Sequence, residues 1–357
     1  DHKGIILRTL AIVLDYNSPM PAVSVLLPCY NAAGTLNEAL ASLSAQTFSD
    51  FEILAVDDGS QDDTLQVLHA WQASEPRLHL IPQPHGGIVA ALNAGLSACK
   101  APLVARMDAD DRCHPKRLER QVDYLQAHPE VDVLGCQVEA FPVEKVGEGL
   151  RLYLRWQNAL LSDADIRREL FVESPLVHPS VMLRRTVLEA VGGYAEHGWA
   201  EDYDLWIRLA QAGGRFARLP EVLFYWRDTP QRLTRADPRY AVQNFLRLKA
   251  HYLLAGPLEK RQAVFLWGAG MIGRRLGRLL LRQGAPILAY LDIDPAKIGS
   301  TRHHLPILDA TQLPDLWQEH PQPIVLAAVG QRGARQIIRR RLAGWGFIEG
   351  QDWLAVA

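Results

Sequence analysis

The chain has 357 residues, which at about 100–200 residues per domain points to two domains. Hydrophobic residues make up 48% and charged residues 22%, an ordinary globular composition with enough apolar side chains for full cores. The net charge of -2 gives no reason to expect nucleic acid as a partner. The four cysteines, Cys29, Cys99, Cys113 and Cys136, form no Cys-x-x-Cys pair, which argues against a zinc ribbon or disulfide framework and fits a reducing compartment. The most apolar early stretch, Ile5 to Leu14, is broken by Arg8 and falls short of the roughly 20 residues a membrane span needs. It also lacks a signal peptide's small-residue cleavage pattern. The expectation is a cytoplasmic protein without a transmembrane segment, with association at the inner membrane surface left open.

From Ala22 strand-like and helix-like segments alternate, the signature of an α/β fold with a largely parallel sheet. Strands are expected at Ala22–Leu27, Phe51–Val56, Leu78–Ile81 and Leu103–Met107, and helices at Leu36–Ser44, Asp63–Gln72 and Val89–Ala98. The pattern loses regularity between Cys136 and Val172. It resumes with helical spacing over Asp204–Ala210, a strand at Leu219–Trp226 and a helix over Tyr240–Leu254. Ala255-Gly256-Pro257 ends that helix, and a second α/β pattern begins near Ala263. The expected organisation is an N-terminal extension over 1–21, a first domain over 22–254, a linker over 255–262 and a second domain over 263–357.

Three polar clusters follow strands: Cys29-Tyr30-Asn31, Asp57-Asp58-Gly59-Ser60 and Asp108-Ala109-Asp110-Asp111. Ligands of open α/β sheets bind outside the carboxyl ends of the strands, so the clusters should converge. Alternate residues of an extended segment point the same way, so Asp108 and Asp110 can face one ligand. Mg²⁺ is held by one or two carboxylates plus substrate phosphates, and Mn²⁺ accepts the same oxygens. Taken alone, the pair also reads as a solvated acidic turn. Asp57 and Asp58 can accept from a base N–H or a ribose hydroxyl, or form a turn before a helix capped by Ser60 or Asp62. Tyr30 can stack on a base or belong to the core. Glu201-Asp202 sits where a helix should begin. Acids are favoured there by the helix dipole, and a carboxylate there can also serve as general base for an acceptor hydroxyl.

Six segments in order resemble glycosyltransferase family 2, inverting enzymes with the GT-A fold. They are Val23 to Asn31, Ser44-Ala45-Gln46-Thr47, Glu52 to Ser60, Ala90 to Leu96, Arg106 to Asp111 and Glu201 to Trp206. The resemblance covers about residues 22–250. It implies transfer of a sugar from a nucleotide-diphosphate sugar, expected to be a UDP-sugar, to a carbohydrate or lipid-linked acceptor in polysaccharide or glycoconjugate synthesis. It further implies that Asp58 binds the uracil edge with Tyr30 stacked beside it, and that Pro28, Asp57 and Arg106 belong to the nucleotide site. Asp110 is implied as the metal-contacting carboxylate for Mn²⁺ or Mg²⁺, with Asp108 near the ribose or sharing the metal. Asp202 is implied as catalytic base and Glu201 as its neighbour for sugar or acceptor contacts. His178-Pro179-Ser180-Val181-Met182 resembles a segment of a polysaccharide-building branch, which places His178 at the site or within the core. The stretch from Trp226-Arg227 to Arg232-Leu233-Thr234-Arg235 resembles a mobile loop near the diphosphate, making Arg227 and Arg235 donor contacts. Many relatives carry a histidine after that arginine; here Asp228-Thr229-Pro230 follows, which leaves a third protein ligand to the metal open.

In the second domain a strand over Ala263–Trp267 runs into Gly268-Ala269-Gly270-Met271-Ile272-Gly273, then a helix over Arg274–Arg282. Asp292 closes the next strand, Ile287–Leu291, at the distance a dinucleotide fingerprint requires. Rossmann-like topology is expected, without bound NAD, because a full dinucleotide site uses two βαβαβ halves. Gly268, Gly270, Gly273 and Asp292 form a candidate second nucleotide site; a packing module or a homo-oligomer contact is the other reading. Two other functions stay open for the whole chain. One is an NAD(P)-dependent sugar oxidoreductase or epimerase, and the other a non-catalytic nucleotide-sugar-binding partner.

Overall fold

The computed structural model describes residues 20–230 and 232–357; the expected extension over 1–21 lies outside them up to residue 19. The first strands are short, apolar and buried along their whole length: β1 (Val23–Cys29) and β2 (Phe51–Asp57). Strands covered on both faces have this composition because helices pack above and below a parallel sheet. The chain continues through α1 (Ala33–Ser44), α2 (Thr64–Gln72), β3 (Leu78–Pro82), α3 (Ile88–Ala98), β4 (Leu103–Arg106) and β5 (Arg112–Cys113). Pro28 fits inside β1 because the register with β4 ends at Leu26 and Arg106, so its missing N–H falls where that ladder has opened.

After α4 (Arg117–Ala127), the stretch that reads as irregular becomes β6 (Val133–Phe141), α5 (Glu148–Asn158) and α6 (Asp163–Glu169). A single helical turn over His178–Ser180 leads to β7 (Met182–Arg184), α7 (Arg185–Ala190), α8 (Glu201–Gln211) and β8 (Phe216–Arg227). These strands make one mixed sheet in the order β3-β2-β1-β4-β7-β6-β8-β5. β7 runs antiparallel to both β4 and β6. Beneath the junction, buried Arg117 donates to the carbonyls of Arg106 and Val181 at 2.8 and 3.2 Å. Gln121 ties Leu134 to Ser180 through their carbonyls. Polar groups buried this deeply need such partners, and the result is that the end of β4 and the turn at His178 are held together.

α9 (Leu233–Ala236) and α10 (Val242–Leu254) lead through turns at 255–260 to a second sheet. It is built from β9 (Ala263–Trp267), α11 (Met271–Arg282), β10 (Ile287–Asp292), β11 (Thr301–Arg302), β12 (Leu305–Asp309), α12 (Leu313–Glu319), β13 (Pro323–Ala327), α13 (Ala334–Gly344) and β14 (Trp353–Ala355). Apart from antiparallel β11, the order β12-β10-β9-β13-β14 is parallel. This is the Rossmann order 3-2-1-4-5, with its switch point between β9 and β13.

The two sheets share a seam. Leu246 and Leu253 of α10 lie in one apolar cluster with Leu276 and Leu280 of α11. The buried ammonium of Lys249 donates to the carbonyls of Val172 and Val356 at 2.7 and 3.0 Å. Glu169, also buried, takes Arg335 and Arg339 from α13. No helix of the described residues is long and apolar enough to cross a membrane.

Candidate active site

The acidic turn sits at the carboxyl end of β4. The buried guanidinium of Arg106 donates to Asp108 Oδ1 at 2.5 Å and to the Met107 carbonyl. Asp108, Asp110 and Asp111 each bring a carboxylate oxygen within 4.8 Å of the others. Burial, then the charge of Asp108, pushes Asp110 up to about 6. Burial and the charges of Asp110 and Asp108 push Asp111 well above the carboxylate range. Asp111 Oδ1 accepts from the Arg227 N–H at 2.7 Å, while its buried Oδ2 has no partner. Mutually repelling carboxylates with an orphaned oxygen fit a hard divalent cation.

Opposite this turn, α8 opens with Glu201 and Asp202. The Tyr240 hydroxyl lies within hydrogen-bond distance of both Glu201 oxygens, and the Tyr203 N–H donates to Asp202 Oδ1 at 2.7 Å. The helix dipole favours negative charge here, yet desolvation outweighs it. Burial, then the Glu201 charge, pushes Asp202 up to about 8, and burial raises Glu201 too. His178 closes one side, with Nε2 3.0 Å from the Tyr194 hydroxyl and its ring edge-on to Trp206. Burial and the nearby Arg106 charge hold His178 far below its usual pKa, so it is neutral. One cavity of about 150 Å³ collects Arg106, Asp108, Asp110, His178, Glu201 and Asp202, with Trp226, Arg232 and Tyr240 completing it.

The other expected nucleotide residues are not among those that line this cavity and are engaged within the protein. Asp58 accepts from Gln83 Nε2 at 2.6 Å and from the N–H groups of Gly86 and Gly87 at 2.9 and 2.8 Å. It thereby anchors the loop leading into α3, whose first residue, Ile88, lines the cavity. Tyr30 stacks on His85 with centroids 4.2 Å apart. Asp57 is buried with Oδ1 unpartnered, and Pro28 is buried in β1. Arg227 donates to the Asp110 carbonyl at 2.5 Å and reaches Glu38, so it braces the acidic turn. Asp228, which follows the arginine where many relatives carry a histidine, is buried and paired with Arg232 and Arg235 at 3.5 and 2.6 Å.

The sequence model of glycosyl transferase family 2 matches residues 24–192. The amylovoran biosynthesis glycosyltransferase AmsE of Erwinia amylovora is 36% identical over 203 residues, spanning 56% of this chain and 74% of that protein. The chain belongs to glycosyl transferase family 2. It is a glycosyltransferase. An Escherichia coli relative, the UDP-Gal:alpha-D-GlcNAc-diphosphoundecaprenol beta-1,3-galactosyltransferase, is 29% identical over 238 residues, or 65% of this chain and 82% of that one. Among solved structures, Staphylococcus aureus TarS 1–349 in complex with UDP-GlcNAc aligns with a TM-score of 0.53 at 20% identity. The alignment covers 73% of this chain and 70% of TarS 1–349, a likeness of fold that agrees with the GT-A architecture.

Beyond Ile88, Pro179 and Thr234, four residues of this glycosyltransferase's cavity or acidic cluster with chemistry of their own stand outside the set read from the sequence. Asp111 directly follows the Asp-x-Asp and carries a visible signal, a third acid within four positions. Trp226 and Arg232, with the guanidinium 3.7 Å over the indole, lie in the segment read as a loop near the diphosphate. Tyr240 reaches Glu201 across 39 positions, and no local pattern announces that contact.

Proposed function

We propose that this enzyme transfers a sugar from a UDP-sugar to an acceptor hydroxyl with inversion, using Mn²⁺ or Mg²⁺. The observation that carries the reading is that the acidic turn after β4 and the Glu201-Asp202 pair of α8 line one cavity. Asp108, Asp110 and Asp111 would hold the cation. Bound there, it would supply Lewis-acid neutralisation of the departing diphosphate. Arg106 and Arg232 add fixed positive charge on the same walls. Asp202 takes the proton from the acceptor oxygen, which attacks the anomeric carbon opposite the leaving group; that displacement inverts the centre. Glu201, pinned by Tyr240, orients sugar or acceptor, and neutral His178 offers a hydrogen-bonding wall that sets no positive charge against the cation.

The uracil reading of Asp58 requires a carboxylate that already accepts several hydrogen bonds to share one more, with Tyr30 and His85 forming the base platform. Arg227 and Arg235 act through the acidic turn and Asp228. The E. coli relative's name gives a UDP-Gal donor and a lipid-diphosphate-linked acceptor for that protein, and the Erwinia relative's name gives polysaccharide synthesis. Both support a UDP-sugar donor and a carbohydrate or lipid-linked acceptor here, worked at the cytoplasmic membrane surface. Residues 22–254 form the catalytic unit in this reading, joined through 255–262 to 263–357.

Ligand-induced stabilisation tests the reading, since a donor that binds only the folded chain raises its Tm. UDP and UDP-sugars should raise Tm with Mn²⁺ present and much less with EDTA. Equal shifts with and without metal, or a response to GDP-sugars alone, would contradict it.

A further inference from the structure

A cavity larger than that of the candidate active site lies elsewhere. About 880 Å³ lies at the carboxyl edge of the second sheet, between the strand ends of β9, β10 and β13, at the topological switch point where such sheets take ligands. Two long helices start on its border. α11 begins after Gly270 and α13 after Gly333; neither has a side-chain cap or an acid in its first turn. Both amino ends are therefore positive poles that no side chain of their own first turn neutralises. Lys297, Arg332 and Arg341 add cationic side chains to the lining, against Asp292 and Asp294. Three of the ten large apolar side chains exposed among the described residues, Met271, Ile293 and Ile337, also line it. Apolar exposure gathered beside fixed positive charge marks a binding surface.

The glycines separate structural need from room for a ligand. Gly268 has φ +116°, and a Cβ at Gly273 would come within 1.8 Å of the Gly268 carbonyl oxygen, so the fold itself requires both. Gly270 has an ordinary φ of -75°, and a Cβ there would meet nothing within 4 Å. It faces the cavity at the head of α11, where a bare backbone allows phosphate to approach the helix N–H groups. Asp292, the acid expected to hold a ribose diol, is spent. It accepts from the N–H groups of Ala269, Ile293 and Asp294 and from Lys297 Nζ, at 2.9–3.2 Å. Four donors fill a carboxylate's lone-pair sites, leaving none for the adenosine ribose of NAD.

We propose that this cavity is a second ligand site, separate from the donor site, which binds a nucleoside diphosphate through its phosphates at the amino ends of α11 and α13. The base lies against Ile293 and Ile337, and Asp292 organises the glycine turn instead of touching the ligand.

The full-length chain in EDTA, titrated calorimetrically with UDP, ADP, GDP, CDP and NAD, tests this. At least one diphosphate should bind, and NAD more weakly. Gly270→Val should weaken that binding tenfold or more with Tm unchanged, because its side chain enters open cavity. Ile337→Asp, on a 60% exposed position, replaces the apolar support of the base with a charge and should do the same. Asp110→Ala, in the acidic turn, should leave it unaltered. Absence of binding by every diphosphate, binding unaltered in both cavity variants, loss in Asp110→Ala, or NAD as the tightest ligand would each overturn the proposal.

Discussion

The Tyr240 hydroxyl sits 2.8 and 3.0 Å from the two carboxylate oxygens of Glu201, fixing that carboxylate next to Asp202. Glu201 is thereby one of the two causes, after burial, that raise Asp202 to about 8. A base must be deprotonated to act, so kcat/KM should fall as pH drops through a limb set by this pair, above the ordinary carboxylate value of 3.8. Glu201→Gln removes the neighbouring charge and should move the limb to lower pH. A pH–rate profile identical to wild type would show that Glu201 does not act on the base.

The same shift has a consequence for stability. A carboxyl whose folded pKa exceeds its unfolded one binds its proton more tightly when folded. Asp202 therefore weighs against the fold increasingly as pH rises from 3.8 to about 8. In EDTA, Asp202→Asn should melt roughly 2–4 °C above wild type at pH 9, with the advantage gone near pH 3. Equal melting at both pH values would mean that burial does not perturb this group.

Asp110→Ala should lower metal-dependent transfer by roughly 10²-fold or more without changing the melting temperature in EDTA appreciably. Asp111→Asn separates two roles. The amide still accepts from the Arg227 N–H but carries no charge, so the concentration of Mn²⁺ needed for half activity should rise at least tenfold. An unchanged metal requirement would make Asp111 a brace for β8 alone.

Much of this was legible before the fold. Strand ends announced themselves because buried parallel strands stop abruptly at Asp57 and Arg106, and the acids beyond them fell where the sheet places ligands. What the sequence hid was who satisfies whom. Asp58 looks available in one dimension, yet Gly86, Gly87 and Gln83 converge on it from 25–29 positions away. Arg227 looks like a phosphate ligand until Glu38 and the Asp110 carbonyl claim it. The stretch after Cys136 read as irregular because α5 and α6 each bury few residues, which weakens the apolar period that marks a helix.

The seam between the sheets makes its own claim. Glu169 is 4% exposed at its side chain and serves Arg335 and Arg339 together. Glu169→Gln keeps the shape and removes the charge, and hydrogen bonds to charged groups contribute about 1.5–3 kcal/mol. The arginines are partly solvated, so the loss should be nearer 1 than 3 kcal/mol, read as a lower midpoint in urea. No change in the midpoint would mean that the Glu169 charge adds nothing to the apolar cluster and the Lys249 bonds that join the two sheets.

The most direct test of the central claim follows donor breakdown, since slow hydrolysis of a UDP-sugar needs no known acceptor. Phosphorus NMR of the purified chain with Mn²⁺ and the UDP-sugar that stabilises it best should show UDP accumulating. Removing the metal should stop it, and Asp202→Asn should slow it by about 10²- to 10⁴-fold while donor binding persists. UDP release at the wild-type rate from Asp202→Asn, or from wild type stripped of metal, would contradict the account.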